Sequence, residues 1–144
     1  MEKHDKINHP SHYVNAAVTL EPIELCQRLS FCLGNACKYL IRAGSKKGES
    51  EADDLKKARW YLERNTTVDT DYSMDIDVIA FVASKFAERN VFISALFSLK
   101  DNKLDQKGRL NEITIDNDGA IKLIEKRLSE IEQKEGLKAL WKGN

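Results

Sequence analysis

The sequence predicts an all-α fold, a helical bundle with an ordered N-terminal arm. Only two prolines and seven glycines interrupt the 144 residues, so long stretches lack helix breakers. Apolar residues recur in these stretches at spacings of three and four, the period of an amphipathic helix. Strand-like alternation occurs in one place, NEITI at 111–115, which leaves a short β-hairpin over 101–117 as an open alternative.

The polar N-terminal segment, residues 1–15, is predicted to be the arm. Pro10 biases the preceding residue to an extended conformation, which argues against a helix there. The first helix is predicted over about 20–30, with Thr19 as its cap and Pro22 in its first turn.

Two further helices follow in the first half. The apolar spacing of FCLGNACKYLIRAG, starting at residue 31, predicts a helix that ends at Gly44. Ser50 is the expected cap of a third helix over 51–64, with Asp53 at the approximate capping-box position. The side chains expected to be buried on this third helix are Leu55, Ala58, Trp60, Tyr61 and Leu62.

The second half begins after a loose linker at 65–73. Residues 74–100 are predicted to form one or two apolar helices, and 118–135 an amphipathic helix. The apolar face of this last helix comprises Ile121, Ile124, Leu128 and Ile131. We expect 1–66 and 67–144 to pack as one compact unit, with the second half serving oligomerisation.

Composition narrows the classes of function. The chain carries 23 Lys and Arg against 23 Asp and Glu, and this zero net charge argues against a nucleic-acid partner. Cys26, Cys32 and Cys37 fall in apolar helical stretches and are expected to be reduced, as in a cytoplasmic protein. No apolar run is long enough for a membrane span or a leader peptide, so we expect no membrane association.

A stripe of cationic and amide side chains lies on the second predicted helix. Asn35, Lys38 and Arg42 are spaced i, i+3 and i+7, and Lys46 follows in the next loop. Such a stripe can bind phosphate without a glycine-rich loop, and no Walker A motif is present. The alternative is that these are ordinary solvated side chains.

Acidic and histidine side chains are further candidates for metal binding, proton transfer or anion binding. The acids at the starts of the first and third helices are Glu21, Glu24, Asp53 and Asp54. They can hold Mg²⁺ or accept a proton, or else pair locally, Glu24 with Arg28 and Asp53 with Lys57. His9 and His12 are better interpreted as anion donors or as anchors of the arm than as zinc ligands, because no C-x-x-C motif accompanies them. We therefore assign no metal site.

Four motifs occur in order over about residues 7–64: NHPSHY, EPIEL, FCLGNACKYLIRAGSKKG and DLKKARWYLER. Together they resemble the SaV-like family of small tailed-phage and prophage proteins. The resemblance implies a phage early protein that acts in the bacterial cytoplasm. One branch of that family includes a nucleotide kinase that phosphorylates deoxynucleoside monophosphates without a Walker motif. Another makes the phage sensitive to a host abortive-infection system.

The resemblance also implies a single shared site. The matching positions are Asn8, His9, His12 and Tyr13 on the arm, Asn35, Lys38, Tyr39 and Arg42 on the second helix, and Asp54, Lys57 and Tyr61 on the third. We expect His12 and Asp54 to be catalytic. The expected substrate-binding residues are Asn8, His9, Tyr13, Asn35, Lys38, Arg42 and Lys46.

Three functions are compatible with these residues. The first is nucleotide binding, with phosphotransfer to (deoxy)nucleoside monophosphates; the cofactor is undetermined, Mg²⁺ with a nucleoside triphosphate donor being one option. The second is a non-enzymatic interaction protein that perturbs or is sensed by a host factor, with the apolar run 91–99 as an interface. The third is Mg²⁺-dependent nucleotide pyrophosphatase activity, for which Glu21 and Glu24 fit the first acidic motif, while Glu51 and Asp54 fit the second only approximately. A homo-oligomer is expected in each case.

Overall fold

The computed structural model describes residues 20–45, 50–65, 76–98 and 114–142. Within those ranges the fold is all-α, as predicted, and contains no strand. The helices are α1 (Ile23–Cys26), α2 (Phe31–Arg42), α3 (Glu51–Arg64), α4 (Ile76–Ala87), α5 (Val91–Leu96) and α6 (Asn117–Lys142). The predicted arm, residues 1–15, and most of the hairpin segment, 101–113, lie outside the described residues. The hairpin gains no support from 114–116, which form no strand before α6 begins.

The first helix is much shorter than predicted. Instead of extending over 20–30, α1 has four residues. The amides of Arg28 and Leu29 donate to carbonyls only three residues back, at 3.1 and 3.2 Å, which tightens the chain out of the α-helical register. Gly34 of α2 also lies against the end of α1, because a Cβ atom there would come within 2.8 Å of the Cys26 carbonyl oxygen.

Helices α2 and α3 form an antiparallel pair with the predicted boundaries. Gly44 has a φ of +76°, the left-handed conformation expected of a residue that ends a helix. The Ser50 Oγ atom accepts a hydrogen bond from the Asp53 amide at 3.0 Å, so the predicted cap of α3 is confirmed. Leu40 and Leu55 are among the buried residues of this pair.

The apolar segment of the second half folds as two helices. The Asn90 Oδ1 atom caps α5 by accepting hydrogen bonds from the backbone amides of Phe92 and Ile93. The Asn90 side-chain Nδ2 atom donates to the Leu40 carbonyl at 3.0 Å. Ile93, Leu96 and Phe97 are fully buried. In the described part of the run, 91–98, these three side chains belong to the core and are not available as an interface.

The last helix is longer than predicted. It begins at Asn117 and continues to Lys142, past the expected end at 135, because neither a proline nor a left-handed glycine stops it. Ile124 is buried, and the predicted face of Ile121, Leu128 and Ile131 packs against the core. Residues 132–141 are all exposed, so the final three turns extend beyond that packing.

One hydrophobic core includes side chains from all six helices. Side-chain amides also connect the two halves, since Asn65 Nδ2 donates to Asn117 Oδ1 and Asn117 Nδ2 donates to the Asn65 carbonyl, each at 3.2 Å. This core fixes α2 and α3 in position. None of the helices in the described ranges combines the length and the apolar character needed to cross a membrane.

Candidate functional site on helices α2 and α3

Three cationic side chains from two helices surround one tyrosine ring. The Lys38 and Lys57 Nζ atoms lie 4.6 and 5.3 Å from the centroid of the Tyr39 ring, and the Arg42 Cζ atom lies 5.5 Å from it. These distances are within the range of cation–π attraction. We call Lys38, Tyr39, Arg42 and Lys57 the Tyr39 cluster. It places three positive charges on the surface where α2 and α3 meet.

A buried carboxylate lies next to this cluster. Asp54 is fully buried, and its Oδ1 atom is 3.7 Å from the Nε atom of Arg42, whose side chain is 24% exposed. Neither Asp54 oxygen accepts a hydrogen bond from any residue in the described ranges. A buried carboxylate normally needs both charge pairing and hydrogen-bond donors. Asp54 thus has one ionic partner and unused acceptor capacity.

The spacing along α3 explains how these side chains come together. Asp54, Lys57 and Tyr61 are separated by three and four residues, so they share one face of the helix. This face meets the α2 side chains Tyr39 and Arg42 through the contacts above and through ring stacking.

Three further aromatic rings continue the surface from Tyr39. The Tyr61 ring stacks on the Tyr39 ring with a centroid distance of 6.0 Å and an interplanar angle of 13°. Phe31 and Trp60 both meet the Tyr61 ring edge-on, with centroid distances of 6.0 and 5.0 Å. Phe31 is 75% exposed and Trp60 is 49% exposed. The expectation that Trp60 is a buried residue is therefore wrong.

The structure brings together some of the residues assigned from the sequence. Lys38, Arg42 and Asp54 are linked through the Tyr39 ring and the ion pair. Asn35 is not linked to them in this way, since its side-chain Nδ2 atom donates to the Phe31 carbonyl of its own helix at 2.9 Å. The other assigned residues, which lie outside the described ranges, are Asn8, His9, His12, Tyr13 and Lys46.

Glu51 is engaged away from this surface. Its two carboxylate oxygens accept hydrogen bonds from Arg127 of α6, at 2.7 and 2.9 Å. These bonds, together with the positive charge of Arg127, hold the pKa of Glu51 below its usual value although partial burial opposes them. Glu51 and Asp54 therefore do not form a paired metal-binding motif.

The remaining acids in the part of the chain that the structure describes form no dense cluster. The Arg28 guanidinium donates to the backbone carbonyl of Glu24. Lys57, the expected partner of Asp53, has its ammonium beside the Tyr39 ring. Within the described ranges no group of three or more His, Cys, Asp or Glu side chains is arranged to hold a metal ion.

Cys26 and Cys37 have the properties of core thiols. Burial raises the pKa of Cys26 to about 11, and the charge of nearby Lys38 opposes this only in part. Complete burial raises the pKa of Cys37 well above its ordinary value, and Cys26 raises it further. Both thiols are therefore protonated at neutral pH, in the form that is a poor nucleophile and a poor metal ligand.

One comparison with known proteins covers the part of the chain that forms this surface. Residues 7–63 match a family model described as a protein of unknown function, DUF3310. A 65-residue stretch is 40% identical to the Gene 1.7 protein of Enterobacteria phage T3, covering 40% of this chain. The chain spans only 39% of that phage protein's length. No solved structure gave a significant match.

Proposed function

We propose that the Tyr39 cluster binds the phosphate groups of a nucleotide, and that the protein transfers a phosphoryl group to a (deoxy)nucleoside monophosphate. The affiliation with SaV-like phage proteins is part of this proposal. The observation that carries it is the convergence of Lys38, Arg42 and Lys57 on one ring, beside the buried Asp54.

The electrostatics of the cluster favour an anionic ligand. Three positive charges held around one ring repel each other, and the electron-rich face of Tyr39 offsets this repulsion only in part. A phosphate group can accept hydrogen bonds from two ammonium groups and from the planar guanidinium fork together. Phosphate binding would therefore relieve the repulsion and use the donors that the two helices present.

The same groups suit phosphoryl transfer, in which charge neutralisation and positioning supply most of the catalysis. In the proposed reaction an oxygen of the monophosphate forms a bond to the γ-phosphorus of a nucleoside triphosphate. The bond from that phosphorus to the bridging oxygen of the β-phosphate breaks. Two nucleoside diphosphates result. Arg42 would stabilise the charge on the transferring group, and Asp54 would fix the orientation of Arg42.

A magnesium ion is compatible with this proposal. Mg²⁺ at phosphotransfer sites commonly takes one or two carboxylates together with substrate phosphates, and would neutralise phosphate charge. Asp54, with its unused acceptor capacity, is the carboxylate in contact with the cluster among the described residues. His12, which lies outside the described residues, is proposed to contact a phosphate or to shuttle a proton, following the resemblance.

The test is an assay of diphosphate formation. Purified protein is incubated with each deoxynucleoside monophosphate and a triphosphate donor, with and without Mg²⁺. We expect diphosphate products from the wild type, and a loss of product in Lys57→Ala. Lys56→Ala is the matched control, because Lys56 is the exposed neighbour on the same helix. Folded wild type that gives no product, and no thermal shift with any nucleotide, would contradict the proposal.

Hydrolysis of a nucleoside triphosphate to a monophosphate and pyrophosphate is less well supported. That chemistry usually relies on several carboxylates around Mg²⁺. Glu51, one of the acids required, is held by both of its oxygens on Arg127. The same assay with a triphosphate alone, read out as pyrophosphate release, distinguishes hydrolysis from transfer.

A second candidate function, self-association, has a separate observation in its favour. Leu137, Leu140 and Trp141 are 60%, 67% and 82% exposed on the free end of α6, at the i, i+3 and i+4 spacing of helix contacts. Pairing with a second copy would cover two identical apolar stripes. Light scattering tests this: we expect an oligomer for the wild type and a smaller mass for Leu137→Ser/Leu140→Ser. An unchanged mass would exclude the stripe as the interface. Recognition by a host factor stays a prediction.

A further inference from the structure

We propose that Phe31, Trp60 and Tyr61 form a platform on which the nucleobase of the bound ligand stacks. The inference rests on the proposed function, because it places the phosphate at the Tyr39 cluster. It adds residues that select a nucleoside phosphate over other phosphate esters. We call these three residues the aromatic platform.

The first support is the exposure of large aromatic surface at one place. Phe31 and Trp60 are 75% and 49% exposed, yet both lie against the edge or face of one half-buried ring, Tyr61. A single exposed aromatic residue is ordinary, but two that flank a third ring beside a cationic cluster are typical of base-stacking surfaces.

The second support is that contacts hold the rings in place. The interplanar angles of Phe31 and Trp60 to Tyr61 are 69° and 81°, and Tyr61 is itself stacked on Tyr39. The Arg64 Cζ atom lies 3.6 Å from the centroid of the Trp60 ring, while Arg64 Nη1 donates to the Trp60 carbonyl at 3.0 Å. Rings that are already positioned lose little conformational freedom when a ligand binds.

The third support is the distance between platform and charge. Tyr61 is one ring spacing, 6.0 Å, from Tyr39, whose centroid is 4.6 to 5.5 Å from the three cationic groups. A mononucleotide has its base and its 5′-phosphate at a separation of the same order. One ligand can therefore place its phosphate on the cluster and its base on the platform. Every base can stack on an aromatic ring, so we expect the platform to bind nucleotides with little discrimination among the bases.

The test uses the fluorescence of Trp60. The chain contains two tryptophans, so Trp141→Phe leaves Trp60 as the single reporter. We titrate this variant with deoxyguanosine monophosphate and, separately, with ribose 5-phosphate, which has a phosphate but no base. The nucleotide should quench Trp60 fluorescence saturably, and ribose 5-phosphate should not.

Calorimetry with platform variants completes the test. We expect Phe31→Ala and Trp60→Leu to weaken nucleotide binding roughly tenfold while leaving ribose 5-phosphate binding unchanged. Phe81→Ala is the matched control, because Phe81 is a 40% exposed ring of α4 that also has a lysine beside it.

Two results overturn the inference in distinguishable ways. If the nucleotide and ribose 5-phosphate bind with equal affinity and Trp60 fluorescence is unaffected, the platform is wrong although the phosphate site stands. If neither compound binds the folded wild-type protein, the phosphate site fails and the platform fails with it.

Discussion

The Nε atom of Arg42 lies 3.7 Å from Oδ1 of Asp54, and this ion pair joins the surface cations to a carboxylate inside the core. The arginine has two roles as a result. Its charge compensates a buried carboxylate, and its guanidinium forms part of the Tyr39 cluster.

Removal of Arg42 should therefore destabilise the fold through Asp54. We expect Arg42→Ala to lower the free energy of unfolding by about 2–4 kcal/mol, because it leaves a buried charge without its partner. Adding Asp54→Asn in the same chain should recover much of that loss. Denaturant unfolding of the two single variants and the double variant checks this, and single losses that simply add up in the double variant would show that the pair is not coupled.

Gly34 lies where α2 packs closely against the end of α1. A Cβ atom at this position would lie 2.8 Å from the backbone oxygen of Cys26, so we expect Gly34→Ala to lower the free energy of unfolding by about 1–3 kcal/mol. Gly136 is the matched control, since a Cβ atom there meets nothing within 4 Å. Gly136→Ala should be neutral or stabilise by up to about 1 kcal/mol. Thermal unfolding measures both, and a neutral Gly34→Ala would contradict the close packing.

The Glu51–Arg127 pair predicts a pH-dependent contribution to stability. The pKa of Glu51 is lower in the folded chain than its ordinary value of 4.5. The pair therefore stabilises the fold fully above about pH 5 and loses its effect as the pH falls through the folded pKa. Arg127→Ala should be less stable than wild type at pH 7, and the difference should disappear in acid. Lys126→Ala, at an exposed neighbouring position, should show no such pH-dependent difference.

The cap of α3 supports the helix that carries Asp54 and Lys57. Loss of the Ser50 Oγ acceptor in Ser50→Ala should lower the free energy of unfolding by about 1 kcal/mol. Ser129→Ala, in the exposed middle of α6, should not destabilise the protein. Urea denaturation distinguishes them, and an equal effect at both positions would contradict a role for the cap.

Local signals in the sequence predicted much of the first half of the described fold. The end of α2 at Gly44 and the start of α3 after Ser50 follow from conformations and hydrogen bonds that only a few adjacent residues determine. The ends of α1 and α6 were missed. The end of α1 lies where Gly34 of α2 packs against Cys26, a contact between two helices that local signals do not indicate. The end of α6 was missed because the helix has no stop signal near residue 135.

In the candidate site, too, local spacing predicts some features, and others depend on how the helices pack. Lys38 and Arg42 could be assigned from their spacing on one helix, but their contact with Tyr39 and Asp54 depends on how two helices dock. Trp60 could have been recognised as exposed. Leu55, Ala58 and Leu62 already define the buried face of α3, and Trp60 points away from it. The bond between Glu51 and Arg127 joins residues 76 apart, and no local pattern indicates it.

The most direct test of phosphate binding at the Tyr39 cluster is calorimetric titration with a deoxynucleoside monophosphate. Lys57 is exposed, so Lys57→Ala should remain folded. We expect this variant to bind about tenfold more weakly than wild type, and Lys56→Ala to bind as wild type does. Equal affinities in all three proteins, or no binding by folded wild type, would contradict the account.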